Sequence, residues 1–364
     1  MTTQTTTRPR IRAATFADAE AVARLHQRNQ MGLLDPAIWR SQWENYPLEG
    51  AFSDVPTGWV LETDDGKVVG SLDNVHLLYT LDDKPLRGVI AAGWAVDTAY
   101  RAHSLGLMTT FFRQPGVDLY LNVSASPAAA KVLTAMHISR IPIPDYATPC
   151  FWAANRVAFA RAALLKRSIP GARLLAWPAA LALFTRDAVF PGGRGTPRSS
   201  VRELNELDER FDTFASSGNR ARLRAVRNRA VLEWRFRSAF RDGRAAIVVA
   251  EQGSRLLGYA VLVRRTDPDL GMDLFDVGDI QALNDDPSTF RDLLLGANQT
   301  ARKKGATALK FMSGSPITRQ PADQLRPLTY HLSLWQKYFK VASPEVAAKL
   351  SSADAWDFSW FDTF

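Results

Sequence analysis

Residues 96–112 read Val-Asp-Thr-Ala-Tyr-Arg-Ala-His-Ser-Leu-Gly-Leu-Met-Thr-Thr-Phe-Phe. An apolar strand ends at Val96, Arg101 follows five residues later, Ser104 and Gly106 supply small side chains, and an apolar helix continues beyond them. A helix start of this kind offers free backbone N–H groups and the positive end of its dipole, which together hold a phosphate or pyrophosphate. Gly106 lets the backbone approach a ligand closely, and Ser104 is the next smallest choice. Ala95, Val96, Arg101, Ala102, His103, Ser104, Leu105, Gly106 and Leu107 are therefore the candidate anion-binding residues.

The surrounding elements must position this cradle. Residues 11–29 begin as a short strand and turn helical, with Thr15 as N-cap and Asp18 three positions on as its capping-box partner. Two strands, 58–64 and 67–79, join at Asp64-Asp65-Gly66, a hairpin signal. Strand 88–97 leads into the cradle, strand 117–124 follows, and Ser126-Pro127 opens a helix as N-cap and N1. The second half repeats part of this plan: an Arg-rich helix at 221–240, a hairpin of 245–252 and 255–265, a strand at 273–283, a helix at 287–304 and a strand at 307–312. The closing aromatics Trp335, Tyr338, Phe339, Trp356, Phe358, Trp360 and Phe361 read as final strands covering a sheet.

With 364 residues, 46 % of them hydrophobic, the chain is long enough for about two globular domains. The expected division is a flexible tail at 1–10, a first domain at 11–150, a connector at 151–199 and a second domain at 200–364. A single cysteine, Cys150, and five scattered histidines argue against a disulfide framework and a metal site. No apolar segment follows the polar, basic start, so the expectation is a cytoplasmic protein.

The net charge of +8 is uneven. Between Arg156 and Arg198 eight Arg or Lys face Asp187 alone, and between Arg220 and Arg244 nine arginines face only Glu233 and Asp242. Such windows attract phosphates or present solvated helix faces. Residues 151–190 mix Ala, Leu, Phe and Trp with spaced arginines. Pro170-Gly171 and Pro178 cut them into helices too short to span a bilayer, so they read either as packed interdomain helices or as a peripheral anchor on an anionic membrane surface. Aromatic residues are sparse in the second window, which argues against nucleic acid as the partner.

The cradle resembles the acyl-CoA motif of the GNAT acyltransferases, V-x-P-x-x-R-x-x-G-x-G/A. Val96, Arg101 and Gly106 match, while Thr98 and Ser104 replace the usual proline and first glycine. The opening IRAATFADAEAVARLH and the late helix at 125–141 are also similar to that family, and LEWRF at 232–236 resembles the second module of bacterial tandem members. The resemblance implies an α/β (α+β) fold of two tandem domains, each a mixed, mostly antiparallel sheet flanked by helices. It further implies an N-acyltransferase with acyl-CoA as co-substrate, a primary amine (amino sugar or lipid-like amine) as acceptor and no metal. A ceramide-synthase-like variant, carrying a long acyl chain to a sphingoid base at the inner face of the membrane, would suit the basic connector. The second module has Asn284-Asp285-Asp286-Pro287 where a cradle would lie, so one CoA site is expected. Many members carry a glutamate on the strand before the cradle, but here it reads AAGWAV. The substitutes are Asp73, His76 and Tyr79 on the neighbouring strand, with His76 titrating near the working pH. The backbone amides of Ala95 and Val96 are the expected oxyanion donors. A catalytically dead scaffold and a phosphate-binding non-enzyme are the competing readings.

Overall fold

A computed structural model describes residues 9–190, 192–218, 221–267, 271–332 and 336–363. Most of the expected tail, Arg220 and Trp335 lie outside these residues. The chain divides into two compact units, one of residues 1–142, 335–352 and 363–364, the other of 143–334 and 353–362. The division falls before Ile143, so the 151–199 connector is part of the second unit, and residues 335–352 return to the first.

The first unit runs β1 (Arg10–Ala13), α1 (Ala19–Arg28), α2 (Pro36–Arg40), β2 (Gly58–Glu62), β3 (Val68–Leu81), β4 (Lys84–Val96), α3 (Ser104–Arg113), β5 (Leu119–Ala125), α4 (Pro127–Ala135), β6 (Ser139–Arg140) and finally β14 (Gln336–Val341). Its sheet order is β1-β2-β3-β4-β5-β14-β6, antiparallel except where β4 and β5 run parallel. The Thr15–Asp18 capping box forms, on a 3-10 turn (Phe16–Asp18) ahead of α1. The β3–β4 turn is Asp82-Asp83, both at positive φ. It joins segments that the sequence reading kept apart, because the usual glycine signal is missing.

The second unit runs β7 (Cys150–Ala153), α5 (Arg156–Lys166), α6 (Ala172–Val189), β8 (Ser200–Leu204), α7 (Arg210–Ser217), α8 (Arg229–Arg241), β9 (Ala245–Gln252), β10 (Arg255–Asp267), β11 (Met272–Ala282), α9 (Pro287–Lys303), β12 (Ala308–Phe311) and β13 (Leu328–Thr329). Its sheet order is β13-β7-β12-β11-β10-β9-β8, with β11 and β12 as the parallel pair. The two sheets share one plan, two mixed and mostly antiparallel layers flanked by helices. Beside β5 the first takes β14, from near the chain's end; beside β12 the second takes β7, from just after β6.

Three expectations in the second unit change. α6 passes unbroken through Pro178, which is exposed, so only a solvent-side hydrogen bond is lost. The Arg-rich helix starts at Arg229, where the Asn228 side chain accepts from Val231 N–H, and Arg222 and Arg227 are buried upstream of it instead of forming a solvated face. Residues 353–355 and 360–362 form short 3-10 turns, and Trp356 and Phe358 make single β-bridges to Leu223 and Gly314 in place of strands, with Trp356, Phe358 and Phe361 in the core.

Candidate active site

β4 and β5 pair in parallel from Gly88 and Leu119 only as far as Ala91 and Asn122. Beyond that point β4 stays on β3 and β5 stays on β14, so the two strands part and leave a wedge between them. At the mouth of the wedge β4 carries a bulge. Ala92 opposes Asp73 and Ala95 opposes Ser71, so Gly93 and Trp94 together face Leu72, and Gly93 has φ 57. A bulge leaves one residue outside the ladder and re-aims its neighbours. A glycine inside an apolar strand is the sequence signal for this feature, and the sequence reading did not use it.

The bulge gathers polar groups from three elements. The Gly93 carbonyl accepts from Ser71 Oγ at 3.1 Å and lies 3.2 Å from His26 Nε2 of α1, the atom that must then donate. Asp73 Oδ1 accepts from the indole N–H of Trp39 in α2 at 2.9 Å. Its Oδ2 lies 2.4 Å, and His26 Cε1 3.0 Å, from where a Cβ on Gly93 would sit. Asp73 is buried without a cation on it, and desolvation raises its pKa from 3.8 to about 7, with the Trp39 hydrogen bond opposing only part of that rise. Burial lowers the pKa of His26, so its ring is neutral. His26 escaped the sequence reading because only the docking of α1 brings it to a residue 67 positions away.

Of the three candidate bases, only Asp73 stands at the bulge. His76 lies three residues farther along β3, about 10 Å away and on the opposite face. Its ring stacks on Phe52 at 4.8 Å, its Nε2 bonds the Pro56 carbonyl at 3.1 Å, and burial holds its pKa down at about 4. Tyr79 is six residues from Asp73, with its ring packed over Gly88 in the core.

The cradle is not the helix start with free N–H groups that the sequence led one to expect. Thr98–His103 winds into a 3-10 turn, with Tyr100 N–H bonded to the Asp97 carbonyl at 2.8 Å and Ser104 N–H to that of Arg101. Asp97 is held by Arg28 at 2.8 Å and Asn29 at 2.8 Å. Arg101, Ala102 and Leu105 are exposed, His103, Ser104 and Gly106 half-buried, and Leu107 is in the core. α3 continues directly from this turn, its N-cap residue His103 already helical in backbone. Ala95 and Val96 stand opposite Ser71 and Gly70 on β3. Asp97 N–H bonds the Val69 carbonyl at 2.9 Å, so by the alternation of an antiparallel pair the Ala95 N–H faces β3 and the Val96 N–H faces the wedge, beside the bulge.

Two buried polar atoms near the wedge have no hydrogen-bond partner among the described residues: Trp94 Nε1 on the bulge and Asn122 Oδ1 on the last paired residue of β5. Buried polar groups are nearly always paired, so orphans at a parting of strands mark a place for a polar ligand. The corresponding place in the second unit is filled. Its bulge at Gly278 meets Phe236 at 2.8 Å and Trp360 at 3.1 Å from the Cβ position, and Asp286 caps α9 at Thr289 N–H where an anion would sit. The first unit's bulge is open to test as well. Gly93→Ala would drive a methyl into Asp73 at positive φ, and the expected result is a stability loss of about 1–3 kcal/mol by chemical denaturation.

No protein-family model and no curated protein matches the chain. Solved structures do. One from Enterococcus faecalis, described as a probable N-acyltransferase, is 8 % identical with TM-score 0.54 and covers 92 % of this chain and 72 % of its own. A GCN5-related N-acetyltransferase from Kribbella flavida is 15 % identical with TM-score 0.53, over 93 % and 72 %. The Saccharomyces cerevisiae N-myristoyltransferase with bound myristoyl-CoA is 11 % identical with TM-score 0.52, over 91 % and 82 %. The chain has their fold.

Proposed function

We propose that this protein is an acyl-CoA-dependent N-acyltransferase whose reaction takes place at the β4–β5 wedge of the first unit, with Asp73 as general base. The observation that carries this reading is a buried carboxylate with a pKa of about 7 beside a strand bulge and two orphaned polar atoms. The fold shared with N-acetyltransferases and with a myristoyl-CoA complex supports it.

The acyl-CoA would lie with its pantetheine arm along the wedge, the arm's amides bonding the facing strand edges and the orphaned Trp94 and Asn122 groups. Its pyrophosphate would lie beside the exposed Arg101, on the turn that leads into α3. Asp73, ionised, removes a proton from the acceptor ammonium, and the free amine attacks the thioester carbonyl. The Val96 N–H, on the wedge side of β4 just past the bulge, steadies the oxyanion. The C–N bond forms, the C–S bond breaks, and the CoA thiolate leaves to take up a proton. Hydrogen bonds from Ser71 and His26 hold the Gly93 carbonyl and keep the bulge in shape. The acceptor is a primary amine, an amino sugar or a lipid-like amine.

Titration with acetyl-CoA, a long-chain acyl-CoA and free CoA by calorimetry tests the reading, followed by thiol release with a panel of amines. Saturable binding and amine-dependent release support it, and absence of binding to all three removes it. Arg101→Ala should weaken CoA affinity about tenfold or more, the size of a lost charge-assisted hydrogen bond. An unchanged Kd would move the pyrophosphate away from α3.

A further inference from the structure

The helix pair α5–α6 packs with its small residues inward and its large ones outward. Ala160 and Ala162 on α5 and Ala172, Ala176 and Ala180 on α6 are buried, the last three spaced i, i+4, i+8 along one face. On the other side of α6, Leu174 is 81 % exposed, Trp177 69 %, Leu181 63 % and Phe184 54 %. The spacing of these four, i, i+3, i+7, i+10, places them in one stripe. A soluble helix that only capped a sheet would be built the other way round, and contiguous exposed apolar surface marks a contact site.

We propose that this stripe docks the protein onto the surface of an anionic lipid bilayer, α6 lying in the plane of the interface. Two observations select that occupant. First, the segment from Val157 to Arg186 contains Arg161, Lys166, Arg167, Arg173 and Arg186 and no Asp or Glu, and Arg161, Arg167 and Arg173 are exposed. Cations flanking an apolar stripe that carries Trp and Phe match the layered chemistry of phosphate headgroups above acyl chains. Second, a second copy of the chain docking through the same patch would set two such basic segments face to face, and like charges oppose that pairing. Among the described residues no helix is long and apolar enough to cross a membrane, so the contact is peripheral. This inference is independent of the chemistry assigned to the first unit.

Flotation of the full chain with vesicles tests it. The chain should rise with vesicles of phosphatidylcholine and phosphatidylglycerol, remain behind with phosphatidylcholine alone, and come off in high salt. The triple variant Leu174→Ser, Trp177→Ser, Leu181→Ser and the charge variant Arg161→Gln, Arg167→Gln, Arg173→Gln should each partition about tenfold less or worse, with an unchanged melting temperature because every altered side chain is exposed. Failure of the parent chain to bind the anionic vesicles overturns the proposal. So does light scattering that finds a dimer which the serine variant converts to monomer, since a second copy would then cover the stripe.

Discussion

Above pH about 7, Asp73→Asn should lose amine acylation by about 10²–10⁴-fold and yet unfold at a higher denaturant concentration than the parent. The two effects have one cause. Burial lifts the Asp73 pKa from 3.8 to about 7, so between those values the folded chain keeps a proton that the unfolded chain has released. Stability therefore falls as pH rises through that window, and the full cost of an ionised, buried carboxylate is present above it. A shift of this size corresponds to an upper bound on the order of 4 kcal/mol. Asparagine keeps the shape and can still accept from the Trp39 indole, but carries no charge to desolvate. The rate of the parent should rise with pH and level off above about 7 as Asp73 ionises, and the variant should show no such limb. A variant that is slower and also less stable at high pH would mean that Asp73 is a structural hydrogen-bond acceptor and not a base.

The stretches legible in the sequence are those whose signals are local. Thr15 and Asp18, the Asp65-Gly66 turn, Ser126-Pro127 and the helix opening at Pro287 each state their conformation within a few residues, and the elements begin there within a residue or two of the reading, although the late helix read over 125–141 stops at Ala135 and gives way to β6. What was illegible depends on distant partners. Nothing in Gln336–Val341 says that it will pair with β5 two hundred residues earlier, nor in Cys150–Ala153 that it will leave the first sheet for the second. At the site, polarity on β3 pointed to Asp73, His76 and Tyr79 alike. What separates them is the bulge at Gly93 and the arrival of Trp39 and His26, both tertiary facts. The run of arginines at 220–244 looked like a surface because its counter-charges, Asp279, Asp285, Asp357 and Asp362, lie 50 to 140 residues away in the sequence.

That ion cluster sets the other large expectation. Arg227→Met should lower the stability of the chain by about 3–5 kcal/mol, read as a shift of the denaturation midpoint. The Arg227 guanidinium is fully buried, bonds Asp279 at 3.0 Å, Asp362 at 3.2 Å and the Ala225 carbonyl at 3.1 Å, and lies over the Phe361 ring at 4.7 Å. Asp279 also accepts from the Tyr259 hydroxyl at 2.8 Å, and Asp357 is paired with Arg224. Removing Arg227 takes away the guanidinium that bonds both buried carboxylates, Asp279 and Asp362. Desolvation already lifts both carboxyls, Asp362 to about 6, even with Arg227 in place. Without it their pKa values climb further, so the variant's deficit should grow as pH rises and shrink toward acid, where both can hold a proton. Methionine keeps most of the side-chain volume, so a deficit that ignores pH would mean lost packing and hydrogen bonding. The cluster lies beside the second unit's bulge at Gly278, already filled by Phe236 and Trp360. The folded fraction of the variant should therefore acylate amines at the parent's rate, which would place buried charge in that unit in the service of the fold and leave the chemistry to the first.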